Sequence, residues 1–396
     1  SPGGHSLAGD DEFTSAVFAD SVLRQGGLGK FDRSELEKAL AGKAAGARTF
    51  VGELEEGVTA GGSPGDLETI LQLVYLGFTA PRADSEAFVA WKTRTAALLR
   101  NRLARPEAVF GDRLSEVLTG GHPRYRPPSE EMLEEIDLDR ALAFHRRRFA
   151  DAAGFTFVIV GSFEPDSLRP LVEIWLGGLP ALGVEESWRD VGVERPEGTV
   201  EVEVRAGLEP KSRVRLILQG PAEWSREESH LLGSLAEALE IRLREILRED
   251  LGATYGVGVG GSLTLRPRQE FTVSIGFGCA PGRAGSLLEL VLAELADVRR
   301  SGFAEETVAK VRQQQRRQRE ESLKQNDFWL RVLASAYRFE LDPMLILDYD
   351  TLVESVTTDN LRAAAARYLV TDRSVRAILY PEDGATAAET KPEPEG

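Results

Sequence analysis

The sequence predicts an α+β protein built from two tandem homologous domains, each with a mostly antiparallel sheet packed against helices. Segments with apolar residues at alternate positions are interspersed with segments whose apolar residues recur every three or four positions. These are the periods of half-exposed strands and of amphipathic helices. Strand patterns occur in runs followed by runs of helix patterns, which favours antiparallel sheets. Landmarks of the first half recur in the second at nearly constant spacing, which indicates a duplication.

The duplication is visible at a turn, at a helix start and in a strand. The matching pairs are Pro64 and Pro281, Asp139 and Asp359, and Phe157 and Ala377, with spacings of 217, 220 and 220 residues. Such a period is longer than that of solenoid repeats and fits a whole domain. We predict domains at 1–190 and 191–382, with the seam in the polar stretch 181–198. Residues 383–396, rich in Glu, Pro, Ala and Thr, are expected to form a mobile tail.

The first half is expected to be mainly helical until it ends in a strand. Helices are predicted at 11–24 and 33–44, and Asp32 or Ser34 is the candidate cap of the second. Further predicted elements are a short extended piece from Thr49 to Val51, a helix after Ser63, a helix from about Ser85 to Arg102, a short helix within 106–128 and a helix from Asp137 to near Phe149. Phe155–Gly161 is predicted to be a buried strand from its length and its β-branched and aromatic residues.

The second half repeats this order after two strand patterns. Valines alternate with charged residues at 200–204, and a second strand covers 214–218. Later predicted elements are helices after Pro281, from about Ala304 and from Thr357 to near Tyr368, and a strand at Ser374–Tyr380. Cys279, the single cysteine, continues the inward positions of a strand that begins near Phe271. We interpret it as a buried structural residue.

Composition and charge exclude several classes of protein. The chain has 396 residues, of which 42% are hydrophobic, as expected for a globular chain of roughly two domains. Its formal net charge of −16 speaks against binding nucleic acid, because phosphates require many Lys and Arg side chains. No apolar run reaches the ~20 residues that a membrane helix needs. We therefore expect a soluble protein with no nucleic acid partner and no membrane span.

The most informative part of the chain is a long amphipathic helix that leads into a strand of small residues. The helix is predicted to open with a capping box formed by Ser225 and Glu228 and to close at Gly252. Its apolar face is formed by Leu232, Leu235, Leu239, Leu243, Ile246 and Leu247. Apolar residues at this spacing lie on one side of a helix, so that side is expected to be buried.

Two side chains at the end of this helix are candidates for a site. Arg248 falls in the last turn, and Tyr255 begins the extended segment beyond it. A guanidinium donates to a carbonyl or carboxylate, and a phenol can donate to a developing oxyanion, so the pair suits a peptide. The alternative is structural: Arg248 caps its own helix and Tyr255 packs at a strand edge.

The string Arg-Glu-x-x-Gly-x-x-Tyr after a leucine-rich helix resembles the Arg/Tyr motif of the pitrilysin/insulinase family of zinc metallopeptidases, the inverzincins. The order Leu251-Gly252 departs from the commoner Gly-Leu, while the spacing from Arg to Tyr is kept. The Ser-Pro-Gly-Gly start, the glycine turn at 26–29 and the stretch 78–84 look like the C-terminal half of bacterial periplasmic members. The resemblance covers nearly the whole chain and implies the duplicated fold of that family.

The resemblance also implies a zinc site, which this chain does not carry by itself. The family's signature is His-x-x-Glu-His on the first helix, whereas the four histidines here are all more than five residues apart. Val17, Asp20 and Ser21 stand where its ligands and base are expected, and neither Val nor Ser replaces a zinc ligand. The helix at 88–102, where a third carboxylate is expected, offers Lys and Arg. We expect no cofactor in this chain and zinc in a partner half.

The resemblance thus implies the non-zinc-binding, substrate-gripping half of a zinc-dependent endopeptidase that cleaves peptides in a closed chamber. Arg248 and Tyr255 would bind the peptide backbone, and Tyr255 would act in catalysis by a hydrogen bond to the transition state. The partner would be a zinc-bearing N-terminal half or subunit, and this chain alone is expected to be inactive. The alternative is a catalytically inactive structural, assembly or peptide-binding subunit of the same fold.

The resemblance further implies a bacterial protein that is periplasmic or exported. The start of the chain, Ser1 to His5, has neither Met nor a signal peptide and resembles the interior of a longer polypeptide. This compartment rests on the resemblance, since one cysteine does not fix it.

Two other patterns are assigned structural roles. Residues 256–261 match Gly-x-Gly-x-x-Gly, but they follow a helix and lead into a strand, which is the reverse of a dinucleotide-binding loop. Small residues in a strand instead permit close approach of another backbone. The basic run at 310–319 is expected to be the solvated face of a long helix, balanced by Glu320 and Glu321.

Overall fold

The computed structural model describes residues 1–251 and 256–382. Up to residue 191 its elements are α1 (Phe13–Gly26), α2 (Arg33–Ala39), β1 (Ala45–Val51), β2 (Glu56–Gly62), α3 (Leu67–Thr79), α4 (Ser85–Leu103), α5 (Pro106–Leu118), α6 (Glu130–Glu134), α7 (Leu138–Arg148) and α8 (Pro165–Trp175). The later elements are β3 (Thr199–Arg205), β4 (Ser212–Pro221), α9 (Arg226–Leu251), β5 (Val257–Thr264), β6 (Glu270–Cys279), α10 (Ala284–Ser301), α11 (Glu305–Ser322), α12 (Asn326–Arg338), α13 (Tyr349–Ser355), α14 (Thr358–Tyr368) and β7 (Ser374–Tyr380). The predicted α+β class is confirmed.

The chain forms two compact units. The first unit consists of Ser1–Arg100, Pro128–Val191 and Gln325–Pro343. The second consists of Asn101–Pro127, Gly192–Lys324 and the residues from Met344 onward. Compactness does not test where a repeat begins and ends, so the domain bounds at 1–190 and 191–382 stay a prediction. The tail at 383–396 lies outside the described residues.

The first unit is built on a two-stranded antiparallel sheet. β1 and β2 pair from Val51 opposite Glu56 to Ala45 opposite Gly62. Helices α1 and α3 pack against the hairpin, and α7 packs against α1. The core beneath them contains Ala8, Phe13, Ala16, Val51, Val74, Phe78, Phe144, Phe149 and Leu179. Burial of these apolar side chains is what holds the helices on the small sheet.

Helix starts in the first unit follow local capping signals. The Asp32 carboxylate accepts a hydrogen bond from the Glu35 amide, and the Glu35 carboxylate accepts one from the Asp32 amide, which completes a capping box. Asp137 caps α7 through the Arg140 amide. The prediction of Asp32 as a cap is confirmed, although α2 ends at Ala39 rather than at residue 44. The extended piece predicted from Thr49 is the end of β1, which begins at Ala45.

The prediction of a buried strand at Phe155–Gly161 is wrong for the described structure. This segment belongs to no described sheet, and Phe157 is 37% exposed. A strand is defined by hydrogen bonds to a neighbouring strand, and none of the described strands lies beside this segment. The Phe155 ring contacts Phe78 at a centroid distance of 4.8 Å, and its amide donates to the Ala152 carbonyl oxygen at 3.0 Å.

The second unit contains a five-stranded sheet in the order β3, β7, β4, β6, β5. β3 runs parallel to β7, and the other three pairs are antiparallel. One face packs on α9, α10, α11 and α14, and the other face packs on α5. The strands predicted at 200–204, 214–218 and Ser374–Tyr380 are confirmed as β3, β4 and β7.

The helices of the second unit largely match the predictions. α10 and α11 follow Pro281 and Ala304, and Thr357 caps α14 through the Asn360 amide. Cys279 is buried at the end of β6, and burial raises the pKa of its thiol. α12, which belongs to the first unit, and α13 were not predicted, since both lie in a stretch with no strong cap.

Candidate peptide-contacting site

The predicted site lies where α9 ends. The five leucines of the predicted apolar face are each at most 2% exposed, whereas Ile246 is half-buried, so the face is buried as expected except at that residue. Because α9 extends to Leu251, Arg248 occupies its last turn. The side chain of Arg248 and the whole of Tyr255 lie outside the described residues. The meeting of these two side chains therefore stays a prediction.

The start of α9 forms only half of the predicted capping box. Ser225 Oγ accepts a hydrogen bond from the Glu228 amide at 3.0 Å. The Glu228 carboxylate turns instead to α14, where it accepts from the Tyr368 hydroxyl at 2.7 Å and pairs with Arg367 at 2.8 Å. Burial, and then the Glu228 carboxylate, raise the pKa of Tyr368. Glu228 thus ties α9 to α14 rather than to its own first turn.

The strand that follows Tyr255 is an edge strand. Among the described strands β5 pairs with β6 alone. The Val259 amide donates to Glu240 Oε2 on α9 at 3.2 Å, so it points away from β6. Since backbone groups alternate along an antiparallel strand, the amides of Val257 and Gly261 point the same way. The free edge of β5 can therefore pair with an added strand, although the Val259 amide on that edge is already bonded to Glu240.

The small residues of β5 have two different surroundings. A Cβ added at Gly261 would lie 2.8 Å from the Leu232 carbonyl oxygen, so this glycine is required by the close approach of α9. A Cβ added at Gly258 would meet no atom within 4 Å. The small residues were predicted to permit close approach of another backbone. At Gly261 that backbone is α9, whereas the space next to Gly258 is open.

A buried polar cluster between α9 and α11 was missed by the sequence analysis. Gln315, only 3% exposed, donates from Nε2 to Ser234 Oγ at 2.9 Å and to Glu237 Oε2 at 3.1 Å. Burial raises the pKa of Glu237, and it lowers the pKa of His230, with Arg226 as a second cause. The available signal was the spacing of His230, Ser234 and Glu237, which places three polar residues on one side of α9.

The basic run on α11 is only partly a solvated face. Gln315 and Val311 are buried, and the Arg319 guanidinium lies 4.9 Å from the centre of the Tyr349 ring. Lys310 and Arg312 pair with glutamates at the start of the same helix, Glu306 and Glu305. The predicted balance by Glu320 and Glu321 is therefore not what the described contacts show, because Glu321 pairs with Lys324.

The positions of α1 at which the zinc ligands and the base were expected, Val17, Asp20 and Ser21, have structural surroundings. The Asp20 carboxylate accepts a short hydrogen bond from the Val51 amide, which fixes α1 to the end of β1, and burial raises the pKa of Asp20. Val17 packs on the core of the first unit. A valine and Ser21 supply no zinc ligand, so these residues do not fit the metal.

Helix α4 likewise uses its cations in local contacts. Lys92 pairs with Glu134 at 2.8 Å, and Arg94 donates to Gln25 at 3.3 Å. Across residues 1–251 and 256–382, no group of three or more His, Cys, Asp or Glu side chains is placed to hold a metal ion. Within the same ranges, no helix combines the length and apolar character needed to span a membrane.

Comparison with protein families shows which class of protein this chain resembles. Residues 135–315 match the profile of the family described as the peptidase M16 inactive domain. This match confirms the resemblance to the pitrilysin/insulinase metallopeptidases, and the description is that of the half of such proteins without the catalytic zinc site.

Among individual proteins, the chain is similar to zinc proteases of the PqqL type. The chain is 27% identical over 292 residues to a protein of Arabidopsis thaliana named "Zinc protease PQQL-like", covering 69% of this chain and 30% of that protein. It is also 22% identical over 373 residues to the "Probable zinc protease PqqL" of Escherichia coli, covering 89% of this chain and 38% of that protein. The chain thus spans less than half the length of these relatives.

A solved structure shows the same fold. The crystal structure of the periplasmic protease PqqL from Escherichia coli superposes with a TM-score of 0.83 at 19% identity, covering 96% of this chain and 42% of that one. At this identity the likeness establishes the fold alone.

Proposed function

We propose that this chain is the non-zinc-binding, substrate-gripping half of a zinc-dependent endopeptidase. The match of residues 135–315 to an inactive peptidase domain carries the proposal. Val17 and Ser21 on α1, which supply no zinc ligand, support the same division of roles. The zinc-bearing N-terminal half or subunit would provide the metal and the general base, and the two halves would close around a peptide.

Arg248 and Tyr255 are the residues proposed to hold the substrate. Arg248, in the last turn of α9, would donate to a backbone carbonyl of the peptide. The Tyr255 hydroxyl would donate to the oxygen that becomes negative when water attacks the scissile carbonyl. The edge strand β5 begins two residues later, so a peptide bound to Tyr255 would lie close to the open space at Gly258.

The test is reconstitution of the enzyme from this chain and its zinc-bearing partner, with cleavage of an unstructured peptide as the readout. Tyr255→Phe removes one transition-state donor and is expected to lower kcat by ~10²-fold or more, with a smaller effect on KM. Tyr337→Phe is the matched control, because Tyr337 is 53% exposed on α12. An unchanged kcat for Tyr255→Phe would end the catalytic role.

A catalytically inactive subunit that serves structure, assembly or peptide binding is the second candidate. The description of the matching domain as inactive favours it as much as it favours a partnered half. An upstream or neighbouring reading frame that encodes His-x-x-Glu-His would support the role as half of a peptidase. Its absence would support the role as an inactive subunit. We further propose a periplasmic or exported location, by analogy with the Escherichia coli protease.

A further inference from the structure

One row of side chains on α9 faces the edge strand β5. A Cβ added at Gly261 would lie 2.8 Å from the Leu232 carbonyl oxygen and 3.3 Å from the Ala236 Cβ. Further along the helix, Glu240 Oε2 accepts a hydrogen bond from the Val259 amide at 3.2 Å. Residues four apart are neighbours on a helix surface, so these three α9 residues form a single row. The row follows β5 back towards the start of the strand.

The row and the strand advance at nearly the same rate. Four residues of an α-helix rise about 6 Å. Two residues of a β-strand span about 6.6 Å. The observed contacts follow this pitch, since the helix step that ends at Glu240 accompanies the strand step from Gly261 to Val259. Each turn of α9 therefore corresponds to two residues of β5.

The same row leads to the residues proposed to hold the substrate. Arg244 comes one turn after Glu240, and by this pitch it is level with the first residue of β5. Arg248 follows one turn later in the sequence, and Tyr255 stands two residues before β5 begins. Glu240 therefore joins the helix to the strand close to the connection between Arg248 and Tyr255.

The Glu240 carboxylate is itself held in place. Its Oε1 accepts a short hydrogen bond from Arg244 Nη2, which leaves Oε2 for the Val259 amide. A hydrogen bond from a backbone amide to a carboxylate is stronger than one between neutral groups. On the neighbouring face of the helix, Leu239 and Leu243 are fully buried, which fixes the rotation of α9 on the core. The carboxylate is thus a fixed link between α9 and β5.

We propose that Glu240 is a positioning residue for the peptide-contacting site. By holding the Val259 amide it fixes the start of β5 against α9, and it thereby sets where Tyr255 stands relative to Arg248. The inference rests on the proposed function and adds to it a residue that touches neither the peptide nor the reacting atoms. A displacement of about 1 Å in a catalytic group can cost about 10²-fold in rate, so loss of this link acts on kcat more than on KM.

The test uses the enzyme reconstituted from this chain and its zinc-bearing partner, with kcat and KM measured separately on an unstructured peptide. Glu240→Ala and Glu240→Met remove the acceptor and are expected to lower kcat about tenfold or more. Glu240→Gln keeps a carbonyl oxygen for the Val259 amide while losing the ion pair, and its kcat should stay within about threefold of the parent. Glu227→Ala, at an exposed glutamate in the first turn of α9, is the matched control. Urea unfolding followed by Trp224 shows whether each variant is folded.

The double variant Glu240→Ala/Tyr255→Phe separates this inference from the proposed function. If Glu240 acts through Tyr255, its removal should cost less than about twofold once the Tyr255 hydroxyl is gone, because the two effects are not additive. An unchanged kcat for Tyr255→Phe would end the proposed function and this inference with it. A slow Tyr255→Phe beside an unchanged Glu240→Ala and Glu240→Met would overturn this inference alone.

Two further outcomes would also overturn the positioning role. If Glu240→Gln is as slow as Glu240→Ala, the ion pair with Arg244 matters rather than the bond to the Val259 amide. If Glu240→Ala causes the same loss of kcat with and without the Tyr255 hydroxyl, Glu240 does not act through Tyr255.

Discussion

His145 should make the stability of the first unit depend on pH. Its ring is 1% exposed, stacks on Phe149 at a centroid distance of 4.4 Å, and places Nε2 3.3 Å from Thr49 Oγ1. Burial, and then the neighbouring charge of Arg146, lower the pKa of His145 from 6.5 to about 4. The imidazole is therefore buried in its neutral form, and protonation opposes folding.

The sign and size of the effect follow from linkage. The neutral His145 ring contributes fully to the free energy of unfolding above pH 6.5. This contribution is lost as the pH falls from 6.5 towards 4, because between these values the unfolded chain takes up a proton on His145 and the folded chain does not. At 1.36 kcal/mol per unit of pKa, the loss between pH 7 and pH 5 is about 2 kcal/mol. Asp20 acts with the opposite sign, since its raised pKa lets the folded state take up a proton more readily.

The assay must therefore compare a variant with the parent chain. Four of the five tryptophans, Trp91, Trp175, Trp188 and Trp329, lie in the first unit, so their fluorescence during urea unfolding reports mainly on that unit. His145→Gln should lose stability at pH 7 and show a decline from pH 7 to pH 5 that is smaller by about 2 kcal/mol. His122→Gln, in the second unit, controls for the chemical change. Identical declines in the parent and His145→Gln would refute the reasoning.

Three further predictions concern the second unit and the metal. Leu239→Ala, at a side chain with 0% exposure, should cost about 2–5 kcal/mol in urea unfolding followed by Trp224, while Leu208→Ala, at 76% exposure, should stay within about 0.5 kcal/mol; equal costs would contradict the assigned core. Glu240→Ala frees the Val259 amide and should speed its hydrogen exchange at the edge of β5. Unchanged exchange would show that this hydrogen bond does not form in solution. Elemental analysis of the dialysed chain should find no stoichiometric zinc, and a tightly held ion would overturn the division of roles.

Local signals were sufficient for much of the fold. Asp32 was one of two candidate caps, and Asp137 and Thr357 were predicted helix starts; all three are caps in the structure, because an N-cap is decided by residues within three positions. The buried face of α9 followed from the spacing of its leucines alone. The strand β7 was also predicted from its local pattern, and in the structure it pairs with β3 and β4.

The failures arose where distant residues decide the structure. Phe155–Gly161 has strong β propensity, but a strand also needs a neighbouring strand to pair with, and none of the described strands lies beside it. Glu228 was predicted to bond to Ser225, and the structure brings Tyr368, 140 residues away, into competition for its carboxylate. Arg248 and Tyr255 were assigned roles through resemblance, and no local rule of helix or strand formation would have selected them.

The position of β7 determines when the sheet of the second unit can be completed during synthesis. This strand ends at Tyr380 and is the last strand within the described residues, yet it lies between β3 and β4, whose residues are made more than 150 positions earlier. Until the ribosome has translated β7, no strand can pair with β3 and β4 from the position between them. Pairing between residues so distant in sequence is slow. The nascent chain must keep the edges of β3 and β4 from pairing with wrong partners until β7 has emerged, so a truncated product ending before Ser374 is expected to aggregate.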